Sequence, residues 1–237
     1  SDGNTETWTV ITNIGSAADA TTTPGVMTLQ GLRALPNPSG NYVLGANIDA
    51  SATATWNAAT CCVYTYNTST NSKNGANVGY YGFLPIADSN ESFRGKFDGL
   101  GHTVSNLTVN SDYHRSSLFG ITDFNAVIQN IGVINSDIYG ADNVGAIAGY
   151  SEFTTFKNVY STANIYGDGF LGGLVGYLDD PTTSYNASSI TSSFSSGIVK
   201  SRATTFSDGN AVGGLVGRVD GTSLSRLIYV TYNYHTN

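Results

Sequence analysis

Four copies of one tetrapeptide pattern punctuate the second half of the chain: Ser117-Leu118-Phe119-Gly120, Ala146-Ile147-Ala148-Gly149, Gly173-Leu174-Val175-Gly176 and Gly214-Leu215-Val216-Gly217. Each runs small, large aliphatic, apolar, glycine. A chain that repeats itself at short intervals folds as a stacked array, because a unit so small cannot bury its apolar face alone. The second column, Leu118, Ile147, Leu174 and Leu215, is always a large aliphatic and is the one expected to point inward. The fourth column, Gly120, Gly149, Gly176 and Gly217, predicts a backbone turn that tolerates no Cβ.

The terminal glycines are separated by 29, 27 and 41 residues, and the long last interval is assigned to an insertion at Asp179–Ser188. A second pattern alternates with the first: Val104-Ser105-Asn106-Leu107, Ile128-Gln129-Asn130-Ile131 and Phe156-Lys157-Asn158-Val159, with weaker echoes at Ile190-Thr191-Ser192 and Leu224-Ser225-Arg226. A third, Ile138-Tyr139-Gly140, recurs as Ile165-Tyr166-Gly167. Three short strands per period, divided by Gly, Asn and Asp, predict one coil of a right-handed parallel β-helix with inserted loops. Asn106, Asn130 and Asn158 are expected to stack as an amide ladder with left-handed backbone. Helical repeats of similar length are disfavoured by the Gly-Gly pairs and β-branched residues, and by the absence of a persistent 3.6-residue apolar rhythm.

Only 11% of the 237 residues are charged, yet 40% are hydrophobic and 11% aromatic, which argues for a packed core rather than a disordered polar tract. The net charge of −7 and ten scattered Lys and Arg residues provide no basic stripe for nucleic acid. No apolar run reaches the roughly 18 residues that span a bilayer, so no membrane insertion by this chain is expected. Its polar opening, Ser1-Asp2-Gly3-Asn4, reads as a piece of a longer protein. Adjacent Cys61 and Cys62 cannot supply spaced zinc ligands. They are either two plain thiols or a vicinal disulfide.

The whole chain reads as a single β-helix domain: residues 1–50 as lead-in strands, 51–92 as a loop-rich excursion, and 93–237 as repeated coils. The excursion gathers Trp56, Tyr64, Tyr66, Tyr80 and Tyr81 among polar neighbours, a mixture suited to glycan stacking or protein anchoring. These five form the candidate binding surface; the competing reading is that they close the flank of the solenoid.

Phe93-Arg94-Gly95-Lys96-Phe97-Asp98-Gly99-Leu100-Gly101-His102-Thr103-Val104-Ser105-Asn106-Leu107 resembles the segment that precedes GLUG repeats, and the Gly-Leu-Val-Gly copies resemble the GLUG motif itself. Upstream, Gly40-Asn41-Tyr42-Val43-Leu44 and Asn47-Ile48-Asp49 are similar to the strand that opens such regions, with Asn47 replacing the usual Asp. The resemblance, over about 40–237, is to filamentous haemagglutinin-like adhesins and to non-catalytic parts of immunoglobulin-A-cleaving peptidases. It implies export to the cell surface or medium as part of a larger bacterial protein, and attachment to host cells or extracellular matrix through a glycan or protein receptor.

Catalytic and metal-binding patterns are missing: there is no H-E-x-x-H helix, no G-x-S-x-G and no D-x-D-x-D-G series. No catalytic residue, metal ligand or cofactor is assigned. The strongest enzymatic alternative is polysaccharide cleavage, which needs paired carboxylates on neighbouring coils. Asp98, Asp123, Asp137, Asp142 and Asp168 are its candidates, although Asp at a turn is ordinary turn chemistry. The expected function is therefore a stalk or attachment module, with a carbohydrate-active domain or an accessory region of a surface peptidase as the alternatives.

Overall fold

Left-handed backbone ends a strand at successive corners of this chain. Asn106, Asn130, Asn135, Asn158 and Ser192 all have φ between 50° and 58°, a conformation Asn tolerates because its short amide bonds locally. The corners cut the chain into strands of two to six residues that pair in parallel with the strand one coil away. The computed structural model describes residues 6–20, 23, 26–58, 65–66, 73–74, 80–88, 91–110, 114–180, 187–202, 210–221, 229–231 and 234–235. They form an all-β parallel solenoid of about 5 turns.

Five strands make a complete coil, not the three expected. One coil runs Val127–Gln129, Gly132–Ile134, Asp137–Tyr139, Asn143–Gly145 and Ala148–Ser151. We number the five sheets I to V in that order. The next coil places Thr155–Lys157, Tyr160–Ser161, Asn164–Gly167, Phe170–Gly172 and Val175–Asp180 on the same five sheets. Paired rows of apolar side chains fill the interior. Phe97, Ile128, Phe156 and Ile190 follow one another on sheet I, each with 0% exposure. Fully burying such a side chain contributes about 1.5–3 kcal/mol, and one apolar cluster extends from Ile11 to Ile190.

The register revises several sequence expectations. Asn130 and Asn158 do stack, with Asn158 Nδ2 donating to Asn130 Oδ1 at 2.9 Å. Asn106 is not in that ladder: Ser105 pairs with Ile134, so Asn106 lies over Asn135 at the next corner. The ladder ends instead on Asp98, whose Oδ1 accepts from Asn130 Nδ2 at 3.0 Å. Val230, paired with Ile190, supplies the last sheet I rung in place of Leu224. The long interval before Gly217 is not one insertion either. Seven extra residues lie between sheets V and I, after Leu178, and seven more between sheets III and IV, after Ser201.

Each tetrapeptide copy straddles the corner from sheet IV to sheet V. Leu118, Ile147 and Leu174 are fully buried there and Leu215 partly so. They follow one another through Ile147 N donating to Leu174 O and Leu174 N to Leu215 O, each at 2.9 Å. The glycine column is not a turn with special φ. Gly120, Gly149, Gly176 and Gly217 are strand residues pressed against backbone: a Cβ on Gly176 would sit 2.5 Å from Val144 N and 2.7 Å from Gly149 O. Close approach, not φ, demands glycine there.

The lead-in region contains a helix that the strand reading missed. Leu29–Arg33 is capped by Thr28, whose Oγ1 accepts from Gly31 N at 2.9 Å. The helix buries Leu29 and Leu32 beside the first strands, Trp8–Ile11 and Asn41–Leu44. The excursion returns to the core. Phe83, Ile86 and Phe93 are fully buried, and Ile86 bridges in parallel to Phe119, giving sheet V its first rung. Its middle includes a short antiparallel pair, Thr65–Tyr66 with Lys73–Asn74.

Candidate functional site

Extending the tetrapeptide alignment by three residues exposes a column that sequence reasoning overlooked. Gly120-Ile121-Thr122-Asp123, Gly149-Tyr150-Ser151-Glu152, Gly176-Tyr177-Leu178-Asp179 and Gly217-Arg218-Val219-Asp220 all end on a carboxylate. The sheet V register stacks them, because Thr122 pairs with Ser151, Ser151 with Leu178, and Asp179 with Asp220. A second column, Ile121, Tyr150, Tyr177 and Arg218, runs beside the carboxylates on the same face.

On the outer side of the solenoid Tyr150, Tyr177 and Glu152 of these columns line a depression of about 600 Å³, closed on its other flank by Arg115, Asn143 and Phe170 of sheet IV. A smaller depression of about 240 Å³ shares Tyr150 and Glu152 and continues past Ile121 and Asp123 to Arg94. Together they make a trough that crosses successive coils. Tyr150 and Tyr177 meet edge to face with ring centroids 5.2 Å apart, and Phe170 packs 5.1 Å from Tyr177. The Arg218 guanidinium lies 4.9 Å above the Phe170 ring, and that of Arg115 is 5.4 Å from the centre of Tyr150.

Hydrogen bonds fix the tyrosine hydroxyls on the acidic column. Tyr150 Oη donates to Glu152 Oε1, and Tyr177 Oη donates to Asp220 Oδ2 at 3.0 Å. Burial, then hydrogen bonding to these carboxylates, pushes both phenols well above their ordinary range. Burial also raises the Glu152 carboxyl, and the charges of Asp123, Asp179 and Asp180 add to the effect. Asp179 is raised chiefly by burial and further by Asp220 and Asp180, while Asp123 is raised by burial against the pull of Phe124 N–H and Arg94. Asp220 moves the other way, because the Arg218 guanidinium binds it at 2.6 Å.

The five aromatics of the expected contact surface do not form this site. Trp56 is a correction: at 8% exposure it belongs to the apolar core, turned inward by the short helix Ser51–Thr55 that precedes it. Tyr80 is exposed and Tyr81 half-buried, and their segment bridges back to Ala58 and the solenoid wall. Tyr64, Cys61 and Cys62 lie outside the described residues, as does the side chain of Tyr66.

Of the acidic candidates, Asp123 and Asp142 border the trough, and His114 Nδ1 contacts Asp142 Oδ2. The others are tied into the scaffold: Asp98 to Gln129 and Asn130, Asp137 to Asn164, and Asp168 to Arg202 at 2.9 Å. Asp180 is also structural, buried and accepting from Phe153 N and Ser188 N. Among the described residues, no group of three or more His, Cys, Asp or Glu side chains is placed to hold a metal ion. Likewise, no described helix is long and apolar enough to cross a membrane.

The fold and the trough together define a parallel β-solenoid with an aromatic and acidic outer groove. No protein-family model matches the chain. It is 35% identical over 158 residues to Halomucin of Haloquadratum walsbyi (strain DSM 16790 / HBSQ001), a match covering 62% of this chain and 2% of that far longer protein. A candidate immunoglobulin A1 protease from Bacteroides ovatus, known from a crystal structure, superposes on 91% of this chain and 68% of its own. The TM-score is 0.49 and the identity 14%, a likeness that carries no argument about this chain.

Proposed function

We propose that this chain is a non-catalytic module of a surface or secreted protein, acting as a rigid stalk that presents an attachment surface to cells or extracellular matrix. The single observation that carries the reading is the trough: a carboxylate column repeated coil after coil on the outside of a continuously packed solenoid, with Tyr150, Tyr177, Phe170 and Arg115 beside it. The resemblance of Phe93–Leu107 to the lead-in of GLUG repeats points the same way. So does the matching segment of Halomucin, a protein many times longer than this chain.

The test is adherence of beads coated with the purified protein to cells and to matrix, against uncoated beads. Adherence without cleavage of any polysaccharide is expected. Beads that bind no better than uncoated ones defeat the reading.

One observation favours polysaccharide cleavage as a second reading. Neighbouring strands are about 4.8 Å apart, so adjacent carboxylates of the column approach the separation of about 5–5.5 Å used by retaining glycosidases. Glu152, with its raised carboxyl, would be the acid. Release of reducing ends by the native protein, abolished in Glu152→Gln, would establish this alternative.

A further inference from the structure

We propose that the sheet IV–V trough binds an extended, uncharged oligosaccharide whose chain lies along the solenoid axis. The proposal rests on the attachment reading and names its ligand class. The trough is long rather than deep, spanning rungs from Arg94 and Ile121 through Tyr150 to Tyr177. Successive rungs are separated by about 4.8 Å, close to the length of one pyranose unit, so a polysaccharide meets an equivalent surface at each sugar.

Tyr150, Tyr177 and Phe170 are each half-buried, held by one another and by the arginines above them. Rings fixed in this way offer apolar surface to the C–H face of a sugar at small entropic cost. Around them Glu152, Asp142 and Arg115 line the wall as acceptors and donors for hydroxyl groups.

Charge selects among ligands. Asp123, Glu152 and Asp142 line the trough, and the carboxylate column continues past it through Asp179 to Asp220, to which Arg218 is bound. An acidic polysaccharide meets like charge there. A peptide adding itself as a strand finds no place, because Ala148–Ser151 and Val175–Asp180 are paired on both sides.

The experiment displays neutral hexose oligomers and uronic-acid oligomers on an array, then measures the best neutral oligomer by titration calorimetry. Preference for neutral sugars is expected, with affinity at least tenfold weaker in Tyr177→Ala and in Tyr150→Ala. Tyr177→Phe, which keeps the ring, should bind within about threefold of the native protein and guards against a loss caused by misfolding. Tyr139→Ala removes a ring from the stacked Tyr139–Tyr166 pair on sheet III, away from the trough, and should leave affinity unchanged. A preference for uronates, silence toward every neutral oligomer, or undiminished binding by Tyr177→Ala overturns the proposal. If the native protein adheres to cells yet ignores neutral sugars, only the ligand assignment fails. If it binds neutral sugars but not cells, the attachment reading fails and the trough assignment stands.

Discussion

Alanine at Gly176 would drive a methyl group into the backbone of the adjoining strand, where no flexible side chain can yield. We expect Gly176→Ala to cost about 1–3 kcal/mol in urea denaturation, the range for overpacked interiors. Gly101 is the contrasting case: its φ is +85° and nothing lies within 4 Å of an added Cβ. There Gly101→Asn should change stability by under about 0.5 kcal/mol, because Asn tolerates left-handed backbone. The stacked carboxylates give a pH dependence of definite sign. Burial raises the Glu152 and Asp179 carboxyl pKa in the folded state, so folding favours their protonated forms. The stability this contributes is present at acid pH and is lost as pH rises through the raised values. Glu152→Gln removes one such loss and still accepts from Tyr150. The variant should gain about 0.5 kcal/mol over the native protein at neutral pH, a figure that allows for solvent screening. It should gain nothing at pH below the ordinary carboxylate range, as read by denaturation at the two pH values. The acidic column was visible in the sequence, three residues beyond each motif glycine, but only to an alignment carried past the motif. Aromatic burial was not visible: Trp56 and Tyr80 sit in similar polar surroundings, yet one packs in the core and the other faces solvent.

Corners, more than strands, carry the element-level code. Asn158 combines a left-handed φ of 54° with a side-chain bond to Asn130. Asn158→Ala loses both and should cost about 1–2 kcal/mol, whereas Asn158→Gly keeps the backbone freedom and should cost roughly half as much. Thermal denaturation of the two variants separates the contributions; a glycine variant as stable as the native protein would show that the ladder bond adds nothing, and equal losses that the left-handed backbone adds nothing. The Asn code was legible, but its assignment to ladders was not. A strand–Asn–apolar pattern occurs at the corner after sheet I and again at the corner after sheet II, so Asn106 and Asn130 look alike in sequence while occupying different columns. Only the hydrogen-bonded register tells them apart. Short strands such as Tyr160–Ser161 escaped notice for a related reason: two residues cannot display a period of two.

Across the whole molecule, stability is shared between neighbouring coils, because each coil is packed chiefly against the next. Leu174→Ala should therefore cost about 2–5 kcal/mol through the cavity it leaves. Amide exchange should accelerate first at Ile147 and Leu215, the rungs on either side, before it reaches Ile48 near the other end. Uniform acceleration would mean that the stack unfolds as one cooperative block. The repeated large aliphatic and glycine columns determined by themselves that the chain stacks as a parallel solenoid, since no unit of that length can hide its apolar side chains without a copy of itself. They also placed Leu118, Ile147 and Leu174 inward. Tertiary structure alone decided how many strands close each coil, which asparagines share a ladder, and that the extra fourteen residues of the last interval divide between two corners. It also decided where the outward chemistry gathers. Tyr150, Phe170 and Tyr177 become one surface through lateral pairing between coils and the fold of sheet V against sheet IV. A linear pattern records the spacing within a coil but not the face on which two coils meet.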